Sequence, residues 1–308
     1  MVQRTDEIDG APEHAVSSNK ERIPAGSPSI DPGSLCLPDP SAKHVFKEKF
    51  GAFEKRAEQA ILLMRRSLQT PPTIAELAED SRVTPWHFIR QFRRTVGIPP
   101  GQYLSALRIE EAKKLLLDTS ERVTDICFTL GFNSLGSFTS RFTSVVGLSP
   151  SAFRNLPDRF SPNHLDRRTE EQEKRLLLWK GPEIQGVIKA PESFSGPIFV
   201  GLFPKPISEG FPESCRILAG AGSFRMPLSQ GGKFLLVAGI CSFDDPRSYL
   251  VSGGRILQGI APVFQGEGAE FPELEIRPPR PLAPPILVAL LACLLATSES
   301  GIQHKRAR

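Results

Sequence analysis

A chain of 308 residues is long enough for two domains and tails. Its five cysteines (Cys36, Cys127, Cys215, Cys241, Cys293) are odd in number, scattered and without a C-x-x-C pair, which excludes a disulfide framework and a zinc site. The net charge of +4 is uneven, about −4 over residues 1–42, about +6 over 43–154 and about +2 beyond, so the basic excess lies where phosphate contacts would need it.

Residues 1–42 mix Asp, Glu, Pro, Ser and Gly with few large apolar groups, and are expected to form a disordered tail with no secretory signal. From His44 to Gln69 the residues Phe53, Ala57, Ala60, Ile61, Met64 and Leu68 recur at helical spacing, until Pro71-Pro72 ends the helix. The next stretch, Ile74 to Arg154, reads as one unit written twice. Downstream of the turn the copies align at an offset of about 50, pairing Thr84 with Ser134, Phe88 with Phe138, Phe92 with Phe142, Gly97 with Gly147 and Pro100 with Pro150. Upstream the offset is about 49, pairing Ile74 with Val123, Leu77 with Ile126 and Val83 with Phe132, so the second copy has one extra residue in its turn.

Each copy reads as helix, tight turn, helix. Thr84 and Ser134 are suited to N-capping, and Pro85 suits the first helical position. Phe88 with Phe92, and Phe138 with Phe142, stand at i, i+4 and must share the buried face. The opposite face is Trp86, Ile89, Arg90 and Arg93 in the first copy, and Leu135, Gly136, Thr139 and Ser140 in the second. A helix held on one side and free on the other fits a DNA major groove. Between the copies, Gly101 to Leu117 reads as a linker helix of roughly 25 Å, at 1.5 Å per residue.

These residues resemble the DNA-binding domain of the AraC/XylS family of bacterial transcription regulators. The resemblance rests on Gly131-Phe132, the paired aromatics Phe138 and Phe142, Gly147-Leu148-Ser149-Pro150, Phe153-Arg154, and a linker helix with Arg108, Ala112, Leu115 and Leu116. It covers about a third of the chain and implies two helix-turn-helix units joined by the linker helix. Its implied partner is double-stranded DNA, with RNA polymerase as a further candidate. Members often place a ligand domain ahead of this unit, and residues 1–42 leave no room for one there.

The expected base-reading residues are Trp86, Ile89 and Arg90, with Leu135, Gly136, Thr139 and Ser140 at the matching positions of the second copy. Arg90 can bond a guanine edge, and Trp86 and Ile89 can meet thymine methyls. Trp86 could instead be a core aromatic. Thr84, Arg93, Arg94, Ser134 and Arg141 are expected at phosphates. Many relatives carry a basic residue where Ser140 stands, and Gly136 offers no side chain, so the second unit is expected to read little sequence.

Asn155 to Lys180, with Pro157, Pro162 and the charged run Asp166 to Arg175, reads as a solvated linker holding a short helix from Glu170 to Trp179. Beyond Glu183 come short apolar segments divided by Gly and Pro: Ile184–Ile188, Ile198–Phe203, Cys215–Leu218, Ser223–Met226, Phe234–Ile240, Arg255–Ile260 and Glu273–Ile276. Gly220–Gly222 and Gly253–Gly254 read as hairpin turns. The runs from Pro197, Ser223 and Gly232 are similar to transthyretin-like or carboxypeptidase-regulatory-like β-sandwiches. The last apolar run, Ile286 to Ala296, is too short for a bilayer, which needs about 20 residues, and is expected as a core strand or helix.

The expected organisation is therefore a tail (1–42), an all-α double helix-turn-helix domain (43–157), a linker (158–182), a small mostly-β, sandwich-like domain for sensing or interaction (183–298) and a basic tail (299–308). No G-x-S-x-G, Gly-rich phosphate loop or histidine cluster is present, so no catalytic residue, metal or cofactor is expected. A cytoplasmic, nucleoid-associated regulator without a membrane partner follows. Two readings of residues 183–298 stay open: a domain for a small-molecule effector, or one for self-association and protein contacts without a ligand.

Overall fold

Among the described residues, helices run from Lys43 to Leu178 and strands from Glu183 to Glu275. A computed structural model describes residues 43–159, 163–228, 234–240, 250, 256–263 and 273–290, with side chains from Phe53 onward except at 163–166. The expected tails, the Gly253–Gly254 turn and residues 291–296 of the last apolar run lie outside the described residues.

The helices are α1 (Lys43–Arg66), α2 (Ile74–Asp80), α3 (Pro85–Val96), α4 (Pro100–Asp118), α5 (Val123–Thr129), α6 (Leu135–Val146), α7 (Pro150–Arg154) and α8 (Asn163–Leu178). The pairs α2–α3 and α5–α6 match element for element: α2 and α5 have 7 residues each, α3 and α6 have 12. Their turns match too, since Val83 N–H donates to Ala78 O (3.0 Å) and Phe132 N–H to Cys127 O (3.1 Å). The left-handed residue of each turn stands at the same place, Arg82 (φ 52°) in the first and Gly131 (φ 76°) in the second. Only the second requires glycine for space, because a Cβ at Gly131 would lie 2.5 Å from Gln69 O and 2.7 Å from the Arg108 guanidinium.

Aromatic chains hold each pair. Phe92 packs edge-on against Tyr103 at 5.8 Å, and Phe142 against Phe153 at 5.6 Å. The linker helix α4 lies between the pairs and buries more than half of its residues, including Tyr103, Leu107, Ile109, Glu110, Lys113 and Leu116. Arg108 reaches from α4 to Leu68 O (2.9 Å) and lies over the Phe132 ring, tying the end of α1 to the second turn.

The strands are β1 (Glu183–Lys189), β2 (Ile198–Phe203), β3 (Ser214–Leu218), β4 (Gly222–Pro227), β5 (Phe234–Ile240), β6 (Ile256–Pro262) and β7 (Leu274–Glu275). They form two sheets, ordered β4-β1-β7 and β3-β2-β5-β6, antiparallel except for β1 with β7. Alternate residues divide the larger sheet's faces. Ile198, Val200, Leu202, Leu235 and Val237 share an apolar cluster with the smaller sheet, through Ile184, Ile188, Phe224 and Met226. Phe199, Phe203, Ile217, Ala238 and Ile240 belong instead to the core cluster of the helices.

Two segments differ from expectation. The short helix expected from Glu170 to Trp179 in a solvated linker is the 16-residue helix α8, and it is docked on the free edge of β3. There Gln172 acts as a substitute strand: its Oε1 accepts from Ile217 N–H at 2.8 Å and its Nε2 lies 3.5 Å from Cys215 O. The described part of the last apolar run, Ile286–Leu290, is buried but runs as an irregular strap, not as a strand or helix, up to Ala289. Its backbone is satisfied by other elements. Lys113 Nζ donates to Ile286 O (2.9 Å) and Leu287 O (3.3 Å), and Tyr103 Oη donates to Ala283 O (3.1 Å).

Two outcomes test this packing. Gly131→Ala is expected to destabilise by at least about 2 kcal/mol, from the left-handed φ and the clash together, whereas Arg82→Gly should stabilise by up to about 1 kcal/mol; thermal unfolding reads both. Burial pushes the Lys113 ammonium down from its usual 10.5 to about 7, with Glu110 opposing. Between these values the unfolded chain binds more protons than the folded one, so Lys113 contributes stability that rises with pH across that window. Lys113→Met should remove that component, read as a flatter melting temperature from pH 7 to 10 than in the unsubstituted chain.

Candidate nucleic-acid interface

Two helices present one free face each. On α3 the side chains of Phe88 and Phe92 are fully buried, and Trp86 is 67% exposed on the opposite side. Trp86, Ile89, Arg90 and Arg93 follow i, i+3, i+4, i+7 spacing and are all exposed, forming a single row. Trp86 therefore stands outside the core. The Arg90 guanidinium lies over its ring at 5.4 Å, a cation–π contact that limits the wandering of a long side chain. Thr84 caps this helix by accepting from His87 N–H at 3.4 Å, which holds its hydroxyl at the first turn. His87 itself is only partly exposed, with its ring Nε2 2.6 Å from Gln91 Nε2. Arg94 is exposed at the last turn.

On α6 the matching row is Leu135, Gly136, Thr139 and Ser140. Leu135, Gly136 and Ser140 are exposed and Thr139 half-buried, while Phe138 and Phe142 are fully buried opposite them. Ser134 caps the helix by accepting from Ser137 N–H at 3.2 Å. Gly136 has open space around it: a Cβ there would meet nothing within 4 Å. This row is thus shallower than that of α3 and carries no charge.

Arg141 is not brought to this row. It lies two residues beyond Thr139, about 200° round the helix at 100° per residue, toward α4. Its Nε donates to Ser105 Oγ (3.1 Å) and its Nη2 to Glu209 Oε2 (3.1 Å). The guanidinium is thus shared between Ser105 of α4 and Glu209 of the loop after β2, with a third of the side chain still exposed. Glu209 was not singled out by the sequence, because an acid in a Pro/Gly-rich loop 68 residues from its partner leaves no local pattern.

No group of three or more metal-ligating side chains exists among the described residues, and no described helix is long and apolar enough to cross a membrane.

Comparison with known proteins places these helices in context. A helix-turn-helix domain family model matches residues 77–156. The HTH-type transcriptional activator AarP of Providencia stuartii is 36% identical over 110 residues, covering 35% of this chain and 82% of that protein. An uncharacterized HTH-type transcriptional regulator of Bacillus subtilis, YobQ, is 39% identical over 83 residues, 27% of this chain but only 34% of its own length. Among solved structures, an AraC-type DNA-binding domain-containing regulator from Chromobacterium violaceum aligns at 25% identity and a TM-score of 0.33, over 36% of this chain and 98% of that one. The helix-turn-helix model's match ends at residue 156, ahead of the strands. With an activator matched over most of its length and the helix-turn-helix model over residues 77–156, this chain belongs to the AraC family of helix-turn-helix transcription regulators.

Proposed function

We propose that the chain is a sequence-specific DNA-binding regulator in which α2–α3 and α5–α6 act as two helix-turn-helix units joined by α4. The domain organisation is that of a DNA-binding part (43–157) followed by a small two-sheet sandwich (183–298) that modulates it. α3 and α6 enter successive major-groove segments. The observation that carries this reading is the exposed row Trp86, Ile89, Arg90 on a helix whose other face is fully buried. Arg90 forks to a guanine edge while Trp86 and Ile89 meet apolar groove atoms. Thr84, Arg93, Arg94 and Ser134 hold phosphates, and the shallow row of α6 grips backbone more than it reads bases.

A cavity of about 630 Å³ supports modulation by a small molecule through the second half. It is lined by Thr95 and Val96 of α3, by Phe199, Ile217 and Ala238 of the larger sheet, and by the strap at Leu282 and Ile286. An occupant would touch the last turn of α3 and the strands at once. The alternative, self-association without a ligand, is favoured by Leu177 and Leu178, 76% and 80% exposed at the end of α8.

Selection from random DNA with the full chain, at two salt concentrations, tests the reading. A two-part motif with steep salt dependence is expected, and salt-sensitive but sequence-blind binding would overturn it. In the selected site, Arg90→Ala should cost about 1–3 kcal/mol of affinity and relax one base position, with little change in salt slope. An unchanged motif for that variant would remove Arg90 from the reading row.

A further inference from the structure

The carboxyl ends of α3 and α6 sit on one short loop. Each helix ends in a left-handed glycine, Gly97 (φ 93°) and Gly147 (φ 89°). A Cβ at Gly97 would lie 3.2 Å from the Pro206 ring, and one at Gly147 2.9 Å from the Phe211 ring. Two residues five apart in the chain therefore touch the same position of both copies. The loop does more at α6 than at α3. A helix leaves its last carbonyls without partners inside itself. Gly210 N–H donates to Val145 O at 2.7 Å, and Ala289 N–H of the strap donates to Val146 O at 3.1 Å.

Glu209 closes the arrangement. Its Oε2 accepts from Arg141 of α6 (3.1 Å), and its Oε1 accepts from Gln102 of α4 (3.1 Å) and Lys205 of its own loop (3.0 Å). Burial alone would raise this carboxyl, yet Lys205, Arg141 and Gln102 together hold it below the usual carboxylate value. The loop is fastened in turn to the strap, since Val288 N–H donates to Ser208 O at 2.9 Å.

From this geometry we infer that Glu209 and Phe211 are positioning residues for DNA recognition: they fix α6 relative to α4 and α3, and so set the spacing of the two base-pair segments the chain accepts. The inference rests on the reading that both α3 and α6 touch DNA. Neither residue touches DNA in this scheme. Each acts through the angle at which α6 is presented, so loosening them alters spacing preference before it alters base preference.

The test uses the full chain with Glu209→Gln and, separately, Phe211→Ala. Binding is measured to the selected site and to sites whose two segments are moved one base pair closer or farther. The unsubstituted chain should prefer the selected spacing at least tenfold, and either variant should reduce that preference about tenfold while its selected bases stay the same. Circular dichroism and melting confirm that each variant is folded; Glu209→Gln keeps size and shape, so the loop retains its backbone bonds. A preference that stays within twofold of the unsubstituted chain in both variants overturns the inference. A merely structural role would lower the melting temperature and weaken all spacings alike, which also overturns it. If the unsubstituted chain itself selects no two-part site, it is the underlying DNA-reading proposal that fails, and the two failures are distinct.

Discussion

The burial of more than half of α4 is the constraint on which the rest of the structure depends. An ordinary surface helix hides one stripe and shows the other. This one carries Tyr103 and Leu107 beside Glu110 and Lys113, all buried. Full burial of one large apolar side chain stabilises by about 1.5–3 kcal/mol. The larger consequence is connectivity. The core cluster around α4 contains Phe53, Phe88 and Phe138 together with Phe199, Ile240 and Leu287. The two copies and one face of the larger sheet thus share one continuous apolar cluster.

Within that frame the two copies have drifted apart where their equivalence costs nothing and stayed alike where it does. Helix lengths, turn hydrogen bonds and left-handed C-caps are the same in both. The outward rows are not: Trp86 and Arg90 give α3 reach and charge, and Gly136 and Ser140 give α6 neither. The carboxyl ends differ in the opposite sense, because α6 has its terminal carbonyls bonded by the loop and strap. The copy with the shorter, uncharged outward row is thus the more firmly held at its carboxyl end.

Much of the helical half could be read from the sequence, because its determinants are local. Thr84 and Ser134 announce helix starts, paired phenylalanines four residues apart announce buried faces, and the repeat reinforces both. The strands were legible for the same reason, as short apolar runs between turn residues. What escaped was held by distant partners. α8 looked like a solvated charge run because Gln172 and Leu176, which dock it, are two residues among many charged ones. The pairing of Arg141 with Glu209, 68 residues on, left no local pattern either. Trp86 left the core alternative open until its exposure was known, since an aromatic at the first turn of a helix can face either way.

The strap and the residues that lead into it, 278–285, show why a buried segment need not become a strand. Pro278, Pro279, Pro281, Pro284 and Pro285 remove five backbone donors in eight residues, so no regular ladder can form there. Their neighbours' carbonyls still need partners once buried. A side chain with several protons and a flexible stem is the economical answer, and Lys113 supplies it to Ile286 and Leu287 while Tyr103 serves Ala283. An apolar residue in place of Lys113 would relieve the burial of a charge but leave two carbonyls unpaired, each at a cost of about 1–3 kcal/mol. The lysine is therefore kept by the prolines as much as by the helix that carries it, and the strap and α4 specify each other.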